Sequence, residues 1–178
     1  MESIAQKIPA GSDGVLASLG SEIFDINTIS VVRPGVLKFM QPVHPMNMTP
    51  ATFAHFIRAA LENIAFAVRG NIEQIEEITQ RKTETLRVTG GMSKNSLWVE
   101  ILAQVTGKTV MVTKIDDGTA MGSALCAAVG AEVYPTLEKA VSDVIHLQKE
   151  ITPDEETMKT YDRFYETWRD WYGKLAEM

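Results

Sequence analysis

The order of elements between residues 86 and 129 constrains this chain most. Leu86-Arg87-Val88-Thr89 is a short β-forming run, Gly90-Gly91 is a turn, and Leu97, Trp98, Ile101, Leu102 and Val105 then recur at helical spacing. Gly107 is placed to close that helix. Thr109-Val110-Met111-Val112-Thr113 is a second strand, Asp116-Asp117-Gly118-Thr119 a second turn, and Ala120 to Val129 a helix of small residues. Strand, helix, strand, helix with connections this short defines a βαβα unit, whose strands run parallel with right-handed crossovers. Open α/β sheets place ligands at the carboxyl ends of their strands, which is where both glycine turns fall.

The flanking segments differ in how much they disclose. Phe53, Phe56, Ile57, Ala60, Leu61, Ile64, Ala67, Val68, Ile72 and Ile75 form one apolar stripe, which predicts a helix of roughly seven turns. Thr49 is placed to cap it and Pro50 to open it, Gly70-Asn71 marks a bend, and Arg81-Lys82 suit its negative end. Beyond the βαβα unit, a helix is expected from Thr136 to Gln148. A last one follows Pro153, capped by Thr152 and carrying Met158, Tyr161, Phe164, Tyr165, Trp168, Trp171 and Tyr172. That aromatic stripe suits a terminal helix docking on the body. Residues 1–48 are irregular, with a turn at Ser12-Asp13-Gly14 and short strands at Val15–Leu19 and Val36–Phe39 among Pro34, Gly35, Pro42 and Pro45. The chain therefore reads as one domain over residues 1–178, with a core at 49–134 and terminal helices at 135–178.

Composition removes several function classes. The 178 residues carry 17 Lys and Arg against 23 Asp and Glu, and no cationic run, so no nucleic-acid partner is expected. No apolar stretch is long enough to span a bilayer, the first residues lack the apolar core of a signal peptide, and a cytoplasmic protein without membrane contact is expected. The single Cys126 excludes an internal disulfide and a Cys-rich zinc site. His44, His55 and His146 lack metal-ligand spacing, so no metal site is expected, and Glu73, Glu76 and Glu77 read as a solvated face. Gly107-Lys108-Thr109 imitates the end of a P-loop, but Leu102 occupies the place of its first glycine and the flanking elements come in the wrong order.

Two constellations remain. In Thr89-Gly90-Gly91-Met92-Ser93-Lys94-Asn95, the paired glycines let a flat ligand approach the main chain, Ser93 opens the following helix, and the Asn95 amide can pair with a base edge or hydroxyl. In Asp117-Gly118-Thr119-Ala120-Met121-Gly122-Ser123, the helix start has almost no side-chain bulk. Either alone serves tight packing more often than binding; two at adjacent strand ends favour a ligand. No pair of carboxylates can be assigned to acid–base chemistry.

The stretches GGMSKNSLWVEILAQVTGKTVMV and DDGTAMGSALCAAVGA resemble the carboxyl-terminal signature of the FGGY carbohydrate kinases, and FIRAALENIAFAVRGNIEQI resembles the helix that precedes it. The likeness covers about Ala51–Tyr134. Residues 20–80 look most like the autoinducer-2 kinase branch of that family. The resemblance implies an incomplete actin-like, ribonuclease H-like α/β domain, with the parallel βαβα unit and additional helices. It implies ATP as phosphoryl donor with Mg²⁺, and a sugar or sugar-like acceptor, including the autoinducer-2 precursor. Gly90, Gly91 and Met92 would lie against the adenine, Asn95 would contact base or ribose, and Gly118, Thr119 and Gly122 would form a further wall. The family's catalytic aspartate and phosphate turns lie upstream of the matching segments, so no catalytic residue is expected in this chain. It would act as the nucleotide-binding part of a kinase and be inactive alone. The alternatives are a non-catalytic assembly module, with self-association or a second chain carrying the amino-terminal part, and a stand-alone binder of another α/β class.

Overall fold

The structure is a computed structural model in which residues 2–25, 35–40 and 50–175 are described. Its centre is a three-stranded sheet ordered β3-β4-β5, formed by Thr85–Val88, Thr109–Thr113 and Leu147–Ile151. β3 and β4 are parallel, as expected for the βαβα unit, and β5 is antiparallel to β4. A separate antiparallel pair, β1 (Leu16–Ser18) and β2 (Val36–Lys38), lies near the amino terminus. The helices are α1 (Glu2–Ala5), α2 (Phe53–Thr79), α3 (Ser96–Thr106), α4 (Gly118–Gly130), α5 (Leu137–Val144) and α6 (Glu155–Leu175).

Register explains which sheet face is covered. Leu86 pairs with Val110 and Val88 with Val112, and Val110 pairs with Ile151 across the other edge. Side chains alternate between faces along a strand, so these five share one face. All five belong to the main core, with Leu97, Trp98, Ile101, Leu102 and Val105 of α3. α2 contributes Ala65, Phe66 and Ala67 to the same core, and α6 adds Tyr161, Tyr165, Trp168 and Tyr172. The terminal aromatic stripe thus docks as expected: Trp168 is fully buried, 5.5 Å from the Phe66 ring and stacked 4.8 Å from Tyr172. Its indole nitrogen donates to the Ala17 carbonyl at 2.8 Å, which ties β1 to α6.

Ionic contacts fix the remaining joints. Glu62 is buried and accepts hydrogen bonds from Gly11 N, Ser12 Oγ, Arg58 Nε and Tyr161 OH at 2.8–3.1 Å. Burial raises its carboxyl above the usual range, against the pull of the Arg58 guanidinium and the hydroxyl and amide donors. At the other end of α2, Glu76 accepts from Lys108 Nζ at 2.6 Å, Thr83 N at 2.9 Å and Lys82 Nζ at 3.0 Å. Those bonds, the one from Lys108 foremost, lower its carboxyl to about 2.

Several expectations are corrected here. The helix expected from Thr136 to Gln148 stops at Val144, and Leu147–Ile151 is a strand, so the sheet is mixed. Pairing with β4 supplies the backbone bonds that a helix would otherwise have made. α2 begins at Phe53 under Thr52, in a capping box completed by the His55 ring; Thr49 lies outside the described residues. No break occurs at Gly70-Asn71, and α2 ends at Thr79, before Arg81 and Lys82. Asp154, not Thr152, accepts from Thr157 N at the start of α6. Glu76 is a buried ionic anchor, not part of a solvated face.

Candidate nucleotide site

Both glycine turns fall at the carboxyl ends of β3 and β4. After Thr89 the chain turns at Gly90, whose φ of 87° and ψ of −167° are accessible essentially to glycine alone. Gly91–Lys94 then form a turn of 3₁₀ helix, and the Ser93 hydroxyl donates back to the Gly90 carbonyl at 2.7 Å. With Ser93 so engaged, the cap of α3 is Asn95, whose Oδ1 accepts from Trp98 N at 2.9 Å. The expected capping role of Ser93 is thus corrected, because the 3₁₀ turn displaces the cap by two residues, to Asn95. The second turn is capped in the same manner, with Asp117 Oδ1 accepting from Ala120 N at 2.9 Å.

The two turns touch. Thr89 Oγ1 donates to the Ile115 carbonyl at 2.8 Å, and a Cβ on Gly118 would stand 2.5 Å from the Thr89 methyl. Only glycine permits that approach. Above the contact opens a cleft of about 390 Å³ lined by Thr89, Gly90, Asp116, Asp117, Gly118 and Thr119. The structure therefore brings together Gly90, Gly118 and Thr119 of the residues singled out by sequence. Gly91, Met92 and Asn95 sit on the adjoining 3₁₀ turn and helix start, outside that lining, and Gly122 lies further along the exposed surface of α4.

Thr89, Asp116 and Asp117 line the cleft without having been assigned to it from sequence. Asp116 is also ion-paired to Lys94 of the first turn, Oδ1 to Nζ 2.7 Å, so a charge pair bridges the two walls from outside. Among the described residues, no lysine or arginine lines the cleft itself. Elsewhere, Gly107 is the C-cap of α3 with φ of 66° and Lys108 bonds Glu76, so the P-loop-like tripeptide serves structure. Among the described residues no group of three or more His, Cys, Asp or Glu gathers closely enough to hold a metal ion, so these side chains assign no Mg²⁺ site. No described helix is long and apolar enough to cross a membrane.

The fold defines the class first. The mixed α/β architecture is an actin-like, ribonuclease H-like fold. It superposes on xylulose kinase from Rhodospirillum rubrum with a TM-score of 0.77 at 23% identity, covering 99% of this chain and 33% of that one. A Plasmodium falciparum glycerol kinase solved with ADP gives 0.72 at 19% identity, over 95% of this chain and 32% of the other. In sequence, an autoinducer-2 kinase from Salmonella paratyphi A is 30% identical over 172 residues, which are 97% of this chain and 31% of the relative; one from Yersinia pestis bv. Antiqua matches to the same extent. The sequence model described as "FGGY family of carbohydrate kinases, C-terminal domain" matches residues 27–131. The chain belongs to the FGGY family of carbohydrate kinases and corresponds to its carboxyl-terminal domain. It spans about 31% of the length of the curated relatives it matches.

Proposed function

We propose that this chain is the nucleotide-binding part of an ATP-dependent sugar kinase, with the nucleoside end of ATP held between the Gly90 and Gly118 turns. One observation carries the reading: two glycine turns at adjacent parallel strand ends meet through Thr89 and Gly118 and leave a cleft between them. Gly91, Met92 and Asn95 extend one wall, and Gly122 the other. In the whole enzyme the terminal phosphoryl group passes from ATP to a hydroxyl of a sugar or sugar-like acceptor; the autoinducer-2 precursor is the acceptor proposed on the strength of the 30% identical relatives. Mg²⁺ on the phosphates would neutralise charge during that transfer. The acceptor site and the catalytic carboxylate are proposed to lie in the part of such a kinase that this chain does not represent. The protein is proposed to work in the cytoplasm.

The test is calorimetric titration of the chain with ATP and ADP. Asn95→Ala is an ambiguous probe, since loss of the α3 cap alone costs about 1 kcal/mol. Asn95→Asp keeps the capping acceptor while removing the amide donor. Gly91→Leu adds bulk where the structure has open space. Binding weakened by either substitution supports the reading, and a folded chain that binds neither nucleotide overturns it. A second reading, an assembly module, is favoured by the outer edge of β3, unpaired among the described residues, and the exposed α4. Sedimentation showing a compact monomer at all concentrations removes it.

A further inference from the structure

The side-chain oxygens left uncommitted in the Gly90–Gly118 cleft are chiefly acceptors. Thr89 Oγ1 is used by the Ile115 carbonyl, and Asp117 Oδ1 by the Ala120 amide. What remains among the described side chains is one oxygen of Asp116, whose other oxygen pairs with Lys94, the second oxygen of Asp117 and the Thr119 hydroxyl. They accept hydrogen bonds from neutral donors, and a nucleoside offers two sets: the ribose hydroxyls and the base amine.

Asp116 is the carboxylate free to serve. Its side chain is 82% exposed and its ion-pair partner Lys94 is 64% exposed, so that pair is weakly held in water. Lys94 engages Oδ1 and leaves Oδ2 open. A carboxylate on a short side chain at the mouth of a cleft can accept from adjacent hydroxyls, in the way an acidic residue reads ribose in dinucleotide-binding folds. We infer that Asp116 is a specificity residue that accepts hydrogen bonds from the ribose hydroxyls of the bound nucleotide. The inference rests on the nucleotide reading above and goes further, because it says which part of the ligand this cleft holds.

The experiment is calorimetry of the chain with ATP, adenosine, 2′,3′-dideoxy-ATP and ITP. The dideoxy analogue is expected to bind at least about tenfold more weakly than ATP, the loss of a hydrogen bond to a charged group. ITP, which lacks the base amine, is expected to bind within a few-fold of ATP, and adenosine, which keeps both hydroxyls, to lose affinity in Asp116→Ala as ATP does. Asp116→Ala should abolish the ATP-to-dideoxy ratio, and Lys94→Gln, which frees Asp116 without touching the cleft lining, should keep it. Equal binding of ATP and its dideoxy analogue, or a ratio that survives in Asp116→Ala, overturns the role of Asp116 and leaves the nucleotide site standing. A loss confined to ITP assigns the cleft to the base and likewise overturns it. Failure of all four ligands to bind the folded chain overturns the nucleotide reading, and this inference with it.

Discussion

α3 and α4 hold equivalent places, each following a parallel strand and a glycine turn, and they are built in opposite ways. Both start under a side-chain cap, Asn95 on Trp98 N and Asp117 on Ala120 N. α3 then buries Leu97, Trp98, Val99, Ile101, Leu102, Ala103 and Val105, whereas α4 buries Leu125 alone. Ala120, Gly122, Ser123, Ala124, Cys126 and Ala127 are all exposed on α4. The topology sets where each helix begins, and side-chain size sets what each helix is for. Large apolar residues make α3 part of the core, so tertiary packing holds it in place. Small residues leave α4 as a low surface beside the cleft, held more by the helix propensity of its alanines.

The sharpest way to break that contrast is to truncate one buried side chain and one exposed one. Ile101→Ala in α3 is expected to cost about 2–5 kcal/mol, and Cys126→Ala in α4 less than about 0.5 kcal/mol, both read from urea unfolding. Next comes the joint between the two units. Gly118→Ala forces a methyl onto Thr89 and should cost about 1–3 kcal/mol, while the same change in a Thr89→Ser background, where the opposing methyl is gone, should cost much less. A double-mutant cycle without coupling would show that the turns do not bear on each other.

The joint on the α3 side is ionic and predicts a pH dependence. Folding lowers the Glu76 carboxyl from 4.5 to about 2. A group whose pKa falls on folding favours the folded state above its unfolded value and loses that contribution as pH drops through its folded one. The stability of the parent chain should therefore decline between about pH 4.5 and 2 more steeply than that of Glu76→Gln. Equal acid limbs would remove Glu76 as an anchor. The last effect has the opposite sign. Gly122 sits in α4 with open space around it, so Gly122→Ala should stabilise the chain by about 0.5–1 kcal/mol, seen as a raised Tm.

What could be read from sequence divides along similar lines. The βαβα order was legible because its signals are local: β-branched runs, a helical stripe and glycine at each turn. The terminal aromatic helix was legible because seven large apolar residues at helical spacing need a core. β5 was not, because Leu147–Ile151 is an edge strand whose residues are mostly exposed and show no apolar alternation. Glu76 looked solvated because its partners Lys108 and Thr83 reach it only through the fold. At the cleft, the glycines announced a turn at each strand end, but nothing in the sequence told that Thr89 closes against Gly118. Nor did it show which acid of Asp116-Asp117 caps α4 and which pairs with Lys94. Those are matters of which atoms reach which, settled by a few ångströms of backbone position.

The contact between Thr89 and Gly118 has a thermodynamic consequence for any ligand of this cleft. The threonine hydroxyl is anchored to one wall and its methyl rests on the other, so the separation of the walls is established when the chain folds. A guest then gives up its own freedom on entering but does not have to order two loops as well. Affinity in such a site follows shape and donor pattern more than induced closure, and small changes in ligand width should register as losses in enthalpy.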